Sequence, residues 1–167
     1  MLPKIDKYFI KPNNSVEKIK SPKIFPEYDF KLNFDGCSKG NPGLAGAGAV
    51  IYNYNTELWA SYLFIGEKYT NNHAEYAGLI LGLERAIVLG IKTLKVEGDS
   101  LLVINQMKGI YKCKSDNLFA LYNEAKKLEQ KFDKIDYEHV LRNKNKRADE
   151  LSNKAIDDYL LKVATSL

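Results

Sequence analysis

The sequence predicts an α/β domain built on a mixed five-stranded sheet, three antiparallel strands followed by two parallel additions, flanked by helices. Two observations carry this expectation. An alternating segment and two segments rich in Val, Ile, Tyr and Phe follow one another through short links, which suits an antiparallel meander. Helical and strand patterns then alternate to the end of the chain, as crossover connections around a sheet require.

The elements follow in order. Asp29–Asp35 alternates, with Phe30, Leu32 and Phe34 on one side and Lys31, Asn33 and Asp35 on the other. This first strand is expected to end at Asp35, where a loop carrying Gly36, Gly40, Asn41, Pro42 and Gly43 begins. Gly46–Tyr54 and Glu57–Ile65 are the next two strands, joined by a turn. Asn71–Leu89 reads as a helix capped by Asn71 or Asn72 and stopped by Gly90. Leu94–Asp99 is a strand, Ser100–Lys108 a short helix ended by Gly109, and Ser115–Phe132 an amphipathic helix. Lys134–Arg142 is the last strand and Asn145–Ala164 the last helix.

At 167 residues, the chain holds one domain plus an appendage. A hydrophobic share of 45% beside 28% charged residues is that of an ordinary globular protein. No apolar run approaches a membrane span, no signal peptide is recognisable, and Cys37 and Cys113 form no paired spacing, so an intracellular protein without disulfides or zinc is expected. The net charge of +4 divides into +3 over residues 1–28 and +1 over the rest. Any nucleic-acid footprint on the main domain must therefore be local.

Residues 1–28 read as an N-terminal extension and 29–167 as the domain proper. Four of the five prolines, Pro3, Pro12, Pro22 and Pro26, fall in the extension, and residues 11–26 read as a linker. Ahead of it, Ile5, Tyr8 and Phe9 stand on one helical face. Lys4–Phe9 resembles the peptide by which replication and repair enzymes dock on a sliding clamp, although Leu2 stands where that peptide usually has glutamine.

Four acids share a pattern. Asp35 and Asp99 end strands, and in open α/β sheets ligands sit beyond such strand ends. Glu75 lies on the helical face of Leu79, Gly82 and Ala86, where an unpaired acid is costly. Asp149 opens the last helix. Each alone has an ordinary structural reading, but carboxylates gathered at one place repel and raise one another's pKa unless a cation neutralises them. Oxygen-only ligation suits Mg²⁺ or Mn²⁺.

Phe34-Asp35-Gly36 with Gly40-Asn41-Pro42-Gly43, Thr70–Glu75, Glu97–Ser100 and Arg147–Ser152 together resemble, in order, the four signatures of type 1 ribonuclease H, over about residues 29–160. The resemblance implies a ribonuclease H-like fold and an endonuclease, usually monomeric, that cuts the RNA strand of RNA–DNA hybrids. It implies Asp35, Glu75, Asp99 and Asp149 as the acids holding two Mg²⁺ ions, and products with 5′-phosphate and 3′-hydroxyl ends. Asn41, Asn71 and Asn72 match positions reaching the hybrid's minor groove, and Lys68 and Thr70 match a pocket for a DNA-strand phosphate. Two departures stand out. The basic handle of many members is reduced to Gly109–Ser115 with Lys108, Lys112 and Lys114 nearby, which implies weaker, more salt-sensitive hybrid binding. The long loop with a mobile histidine before the fourth acid is cut to Arg142–Arg147, so Arg142 stands nearest that role. His139, inside the expected last strand, reads as structural. Double-stranded RNA as a broadened substrate, and a binding module with little catalysis, are the competing expectations.

Overall fold

A computed structural model of the chain describes residues 27–167. The clamp-docking segment expected at Ile5, Tyr8 and Phe9, and the linker after it, lie outside the described residues. Three strands, β1 (Phe30–Lys39), β2 (Gly43–Asn53) and β3 (Thr56–Tyr69), pair antiparallel in succession. Beyond β1, β4 (Thr93–Gly98) and β5 (Lys134–His139) add in parallel, giving the order β3-β2-β1-β4-β5. The helices are α1 (Asn71–Val88), α2 (Leu101–Met107), α3 (Asp116–Glu129) and α4 (Lys146–Thr165), the last preceded by a 3-10 turn at Arg142–Lys144.

The order of elements is the expected one, but the first strand is longer. It runs past Asp35 to Lys39, because Gly36–Lys39 pair with Ala47–Leu44 of β2. The glycine-rich stretch is thus half of a β-hairpin whose tip is Gly40–Pro42. Side-chain alternation gives no sign of this, since the extension is held by backbone pairing. The last strand is shorter than expected, ending at His139 where the chain turns away at Val140–Leu141. The cap of α1 also differs: Thr70, not Asn71 or Asn72, accepts from the His73 N–H at 3.2 Å.

Helices cover both faces of the sheet. On one, Leu32 and Phe34 of β1 and Leu94 and Val96 of β4 pack against Tyr76, Leu79 and Leu83 of α1, all fully buried. Each such large side chain contributes about 1.5–3 kcal/mol by leaving water. On the other, Val50 packs with Ala148 and Leu151 of α4. The alternate residues of β1, Asn33 and Asp35, are therefore buried as well, under α4.

Two glycines allow the helices to approach closely enough to matter for the site. A Cβ on Gly36 would lie 2.1 Å from the Ala74 carbonyl carbon of α1. One on Gly46 would lie 2.3 Å from the Ser152 carbonyl oxygen of α4. The starts of α1 and α4 are thereby drawn against β1 and β2 at the same end of the sheet.

Candidate active site

The register of β1 and β4 sets the first two acids side by side. Phe34 pairs with Gly98, so Asp35 and Asp99, the residues that follow them, meet at one rim. The close approach at Gly36 brings Glu75, in the first turns of α1, to the same rim. Ligand oxygens of Asp35, Glu75 and Asp99 lie within 4.8 Å of one another. They open into a cavity of about 410 Å³ whose wall also includes Asn71, His139, Arg142 and Asp149. The structure thus gathers three of the four expected acids and holds the fourth at the cavity wall. There Asp149 Oδ1 accepts from the Arg142 guanidinium at 3.0 Å, and Arg142 itself is 76% exposed.

Burial governs the electrostatics. Asp35 is 4% exposed and Glu75 9%. Desolvation, opposed by a hydrogen bond from Ser152 and reinforced by the charges of Asp99 and Asp149, raises the Asp35 pKa to about 7 from its ordinary 3.8. Glu75 is pushed well above its usual range, first by burial and then by Asp35 and Asp99. Its Oε2 atom is buried and has no hydrogen-bond partner. Clustered acid oxygens with an orphan among them fit a hard, oxygen-ligated cation, which would remove both the repulsion and the unmet acceptor.

The expected substrate residues cluster beside the acids. Asn41, Lys68, Thr70 and Asn72 line a second cavity of about 740 Å³, while Asn71, next in sequence to Asn72, lines the acid cavity. The hairpin tip is latched to α1: Asn41 Oδ1 accepts from the Asn71 N–H at 3.0 Å, and Asn71 Oδ1 accepts from the Ser38 N–H at 2.7 Å.

Further residues at or beside these cavities were not singled out as site residues from sequence. Lys112, Lys114 and Asn117 share the larger cavity with Lys68. Lys112 and Lys114 lie in the short link between α2 and α3 and Asn117 in the first turn of α3, and no sequence pattern places them across a cavity from Lys68. His139, expected to be structural, ends β5 with its ring in the acid cavity, Nε2 donating to the Asp99 carbonyl at 3.1 Å. The parallel register of β4 and β5, which pairs His139 with Gly98, sets it beside Asp99. Asn145, just before α4, is 2% exposed; its Nδ2 donates to the Phe34 carbonyl at 2.8 Å and its Oδ1 accepts from Asn33 at 3.2 Å. It ties the start of α4, and so Asp149, to the strand carrying Asp35. No helix among the described residues is long and apolar enough to cross a membrane.

A mixed sheet with carboxylates clustered at the rim of its parallel strands defines a nuclease-like α/β domain, and the family model described as Reverse transcriptase-like matches residues 33–155. The Bifunctional protein Rv2228c of Mycobacterium tuberculosis is 47% identical over 128 residues, 75% of this chain and 35% of that protein. The N-terminal RNase H domain of rv2228c, solved as a fusion with maltose binding protein, superposes with a TM-score of 0.77 at 43% identity, covering 80% of this chain and 97% of that one. RNase H1 of Halobacterium salinarum gives 0.74 at 37% identity, covering 77% and 98%. LC11-RNase H1, from compost, in complex with an RNA/DNA hybrid, gives 0.74 at 38%, covering 78% and 99%. The chain belongs to the type 1 ribonuclease H family. It spans about a third of the length of the mycobacterial proteins it matches, 35% in each case.

Proposed function

We propose that this chain is a divalent-cation-dependent endonuclease that hydrolyses the RNA strand of RNA–DNA hybrids, leaving 5′-phosphate and 3′-hydroxyl ends, in removal of primers and stray hybrids during replication and repair. The observation that carries the proposal is Glu75 Oε2, buried and unpartnered among the carboxylates of Asp35 and Asp99. These three acids would hold the cation, Mg²⁺ or Mn²⁺, with Asp149 joining from the cavity wall for a second ion. Bound there, divalent cations supply an activated water and neutralise charge gathering on the scissile phosphate.

The chain's own residues would do the rest. Asn41, Asn71 and Asn72 are exposed at the hairpin tip and the start of α1, and an amide both donates to and accepts from the 2′-hydroxyls displayed in a minor groove. Lys68 and Thr70, with Lys112 and Lys114 across the cavity, would hold the DNA-strand phosphates by charge. Arg142, exposed and paired with Asp149, would meet phosphate charge as product departs. The likeness to LC11-RNase H1, which was solved on a hybrid, supports the same substrate class.

A labelled hybrid incubated with wild type and Asp99→Asn in Mg²⁺ tests this; equal cleavage would remove the proposal. The short link between α2 and α3 favours one second reading, a broadened substrate that includes double-stranded RNA. Side-by-side digestion separates the two, with the hybrid expected to be the faster substrate. Residues 29–167 would form this catalytic domain, acting as a monomer wherever the genome is copied. Residues 1–28 would form a tether that docks on a sliding clamp through Ile5, Tyr8 and Phe9. Loss of clamp binding in Tyr8→Ala with Phe9→Ala would bear this out, and unchanged affinity would end it.

A further inference from the structure

Ser152 lies on α4, three residues beyond Asp149, and is fully buried. Its Oγ is 2.7 Å from Asp35 Oδ2 and 2.9 Å from the Asp149 carbonyl oxygen. A hydroxyl has one proton, and both neighbours accept. The contact to the ionised Asp35 is the shorter and, being charge-assisted, the stronger. Asp35 is the most buried acid of the cluster, and Ser152 supplies its side-chain donor. The Ser152 backbone is fixed in turn, because its carbonyl sits where a Cβ on Gly46 would be. Helix α4 therefore cannot retreat from the sheet without breaking this hydrogen bond, nor can Asp35 rotate.

Resting on the function proposed above, we propose that Ser152 is a positioning residue for the cation site: its hydroxyl holds one oxygen of Asp35, aiming the other at the ion and locking the Asp149 turn of α4 to the same carboxylate. Hydrogen-bond partners of metal-ligating groups are worth roughly ten- to a hundredfold in metal affinity. Removing the hydroxyl should weaken cation binding by at least roughly tenfold.

The test uses the full chain, nucleic-acid-free, at pH 8. Mn²⁺ binding is measured by calorimetry for wild type, Ser152→Ala and Ser152→Cys, the last keeping the volume but offering only a weak S–H donor. Both variants should bind Mn²⁺ roughly tenfold more weakly. The Mg²⁺ concentration for half-maximal hybrid cleavage should rise by the same factor. A merely structural role would lower the melting temperature and leave the Mn²⁺ affinity of the folded protein unchanged. Either variant binding Mn²⁺ as tightly as wild type overturns the assignment while leaving the proposed hydrolysis standing. A wild type that binds no Mn²⁺ overturns both.

Discussion

Replacing Asp35 by Asn should stabilise the cation-free protein, and by an amount that depends on pH. The carboxyl titrates near 7 in the fold against 3.8 ordinarily. Between those values the folded chain binds more protons than the unfolded one, so stability falls as pH rises through the window. The penalty is under about 1 kcal/mol at pH 4 and about 4 kcal/mol at pH 8, where the group is ionised in both states. Asn keeps the shape and the acceptor for Ser152 but carries no charge. Glu75 shares the repulsion and will readjust, so a net gain of about 2 kcal/mol is expected at pH 8. For a chain of this size that is roughly 4–8 °C in Tm. Differential scanning calorimetry in EDTA at pH 4 and pH 8 measures it. Adding Mg²⁺ at pH 8 should raise the wild-type Tm and leave the variant's almost unmoved, reversing part of the gap. A variant that melts no higher than wild type at pH 8, or one whose margin is equal at both pH values, would refute the claim that burial and crowding of this acid are what the cation relieves.

Other perturbations probe the parts that assemble the site. Asn145→Ala removes the donor to the buried Phe34 carbonyl and leaves the Asn33 amide only Glu97, which should cost about 1–3 kcal/mol by chemical denaturation and lower cleavage by freeing the start of α4. Gly36→Ala forces a Cβ into the Ala74 backbone and should cost about 3 kcal/mol or more. Any folded fraction of Gly36→Ala, isolated by gel filtration, should cleave poorly because Glu75 is pushed from the rim. Lys112→Ala with Lys114→Ala should raise KM for hybrid with little change in kcat. It should also flatten the slope of log affinity against log salt by roughly 1.5, close to one phosphate contact per lysine.

Much of the fold could be read in advance because each segment's pattern agrees with its place. The short links between the first three strands force a meander, and the apolar stripe beneath Glu75 marks α1 as a buried crossover. Asp35 and Asp99 were legible as a pair because both close alternating runs. What could not be read depends on distant packing. Residues Gly36–Lys39 show no strand alternation, yet β2 holds them in the sheet, and only the absent side chain of Gly36 lets α1 bring Glu75 in. Ser152 looks like any small residue on a helix, and its partner Asp35 is 117 residues away. His139 sits within the strand pattern, as expected, and only the register of β5 on β4, pairing it with Gly98, brings its ring to the Asp99 carbonyl. Lys112 and Lys114 read as a shortened handle; their cavity with Lys68 exists only once α3 has docked on α1.

The most direct measurement is single-turnover cleavage in Mg²⁺ of a hybrid labelled on its RNA strand, beside the matching RNA duplex and DNA duplex, with wild type and Glu75→Gln. Glu75→Gln preserves the side chain's length and removes the charge that the buried, unpartnered oxygen would give to a cation. Wild type should cut the RNA of the hybrid to 5′-phosphate ends, leave the DNA duplex intact, and lose all cutting in EDTA, while Glu75→Gln should be inert despite folding normally. Cleavage by Glu75→Gln at the wild-type rate, or a hybrid left whole by wild type in Mg²⁺ and Mn²⁺ alike, would contradict the account.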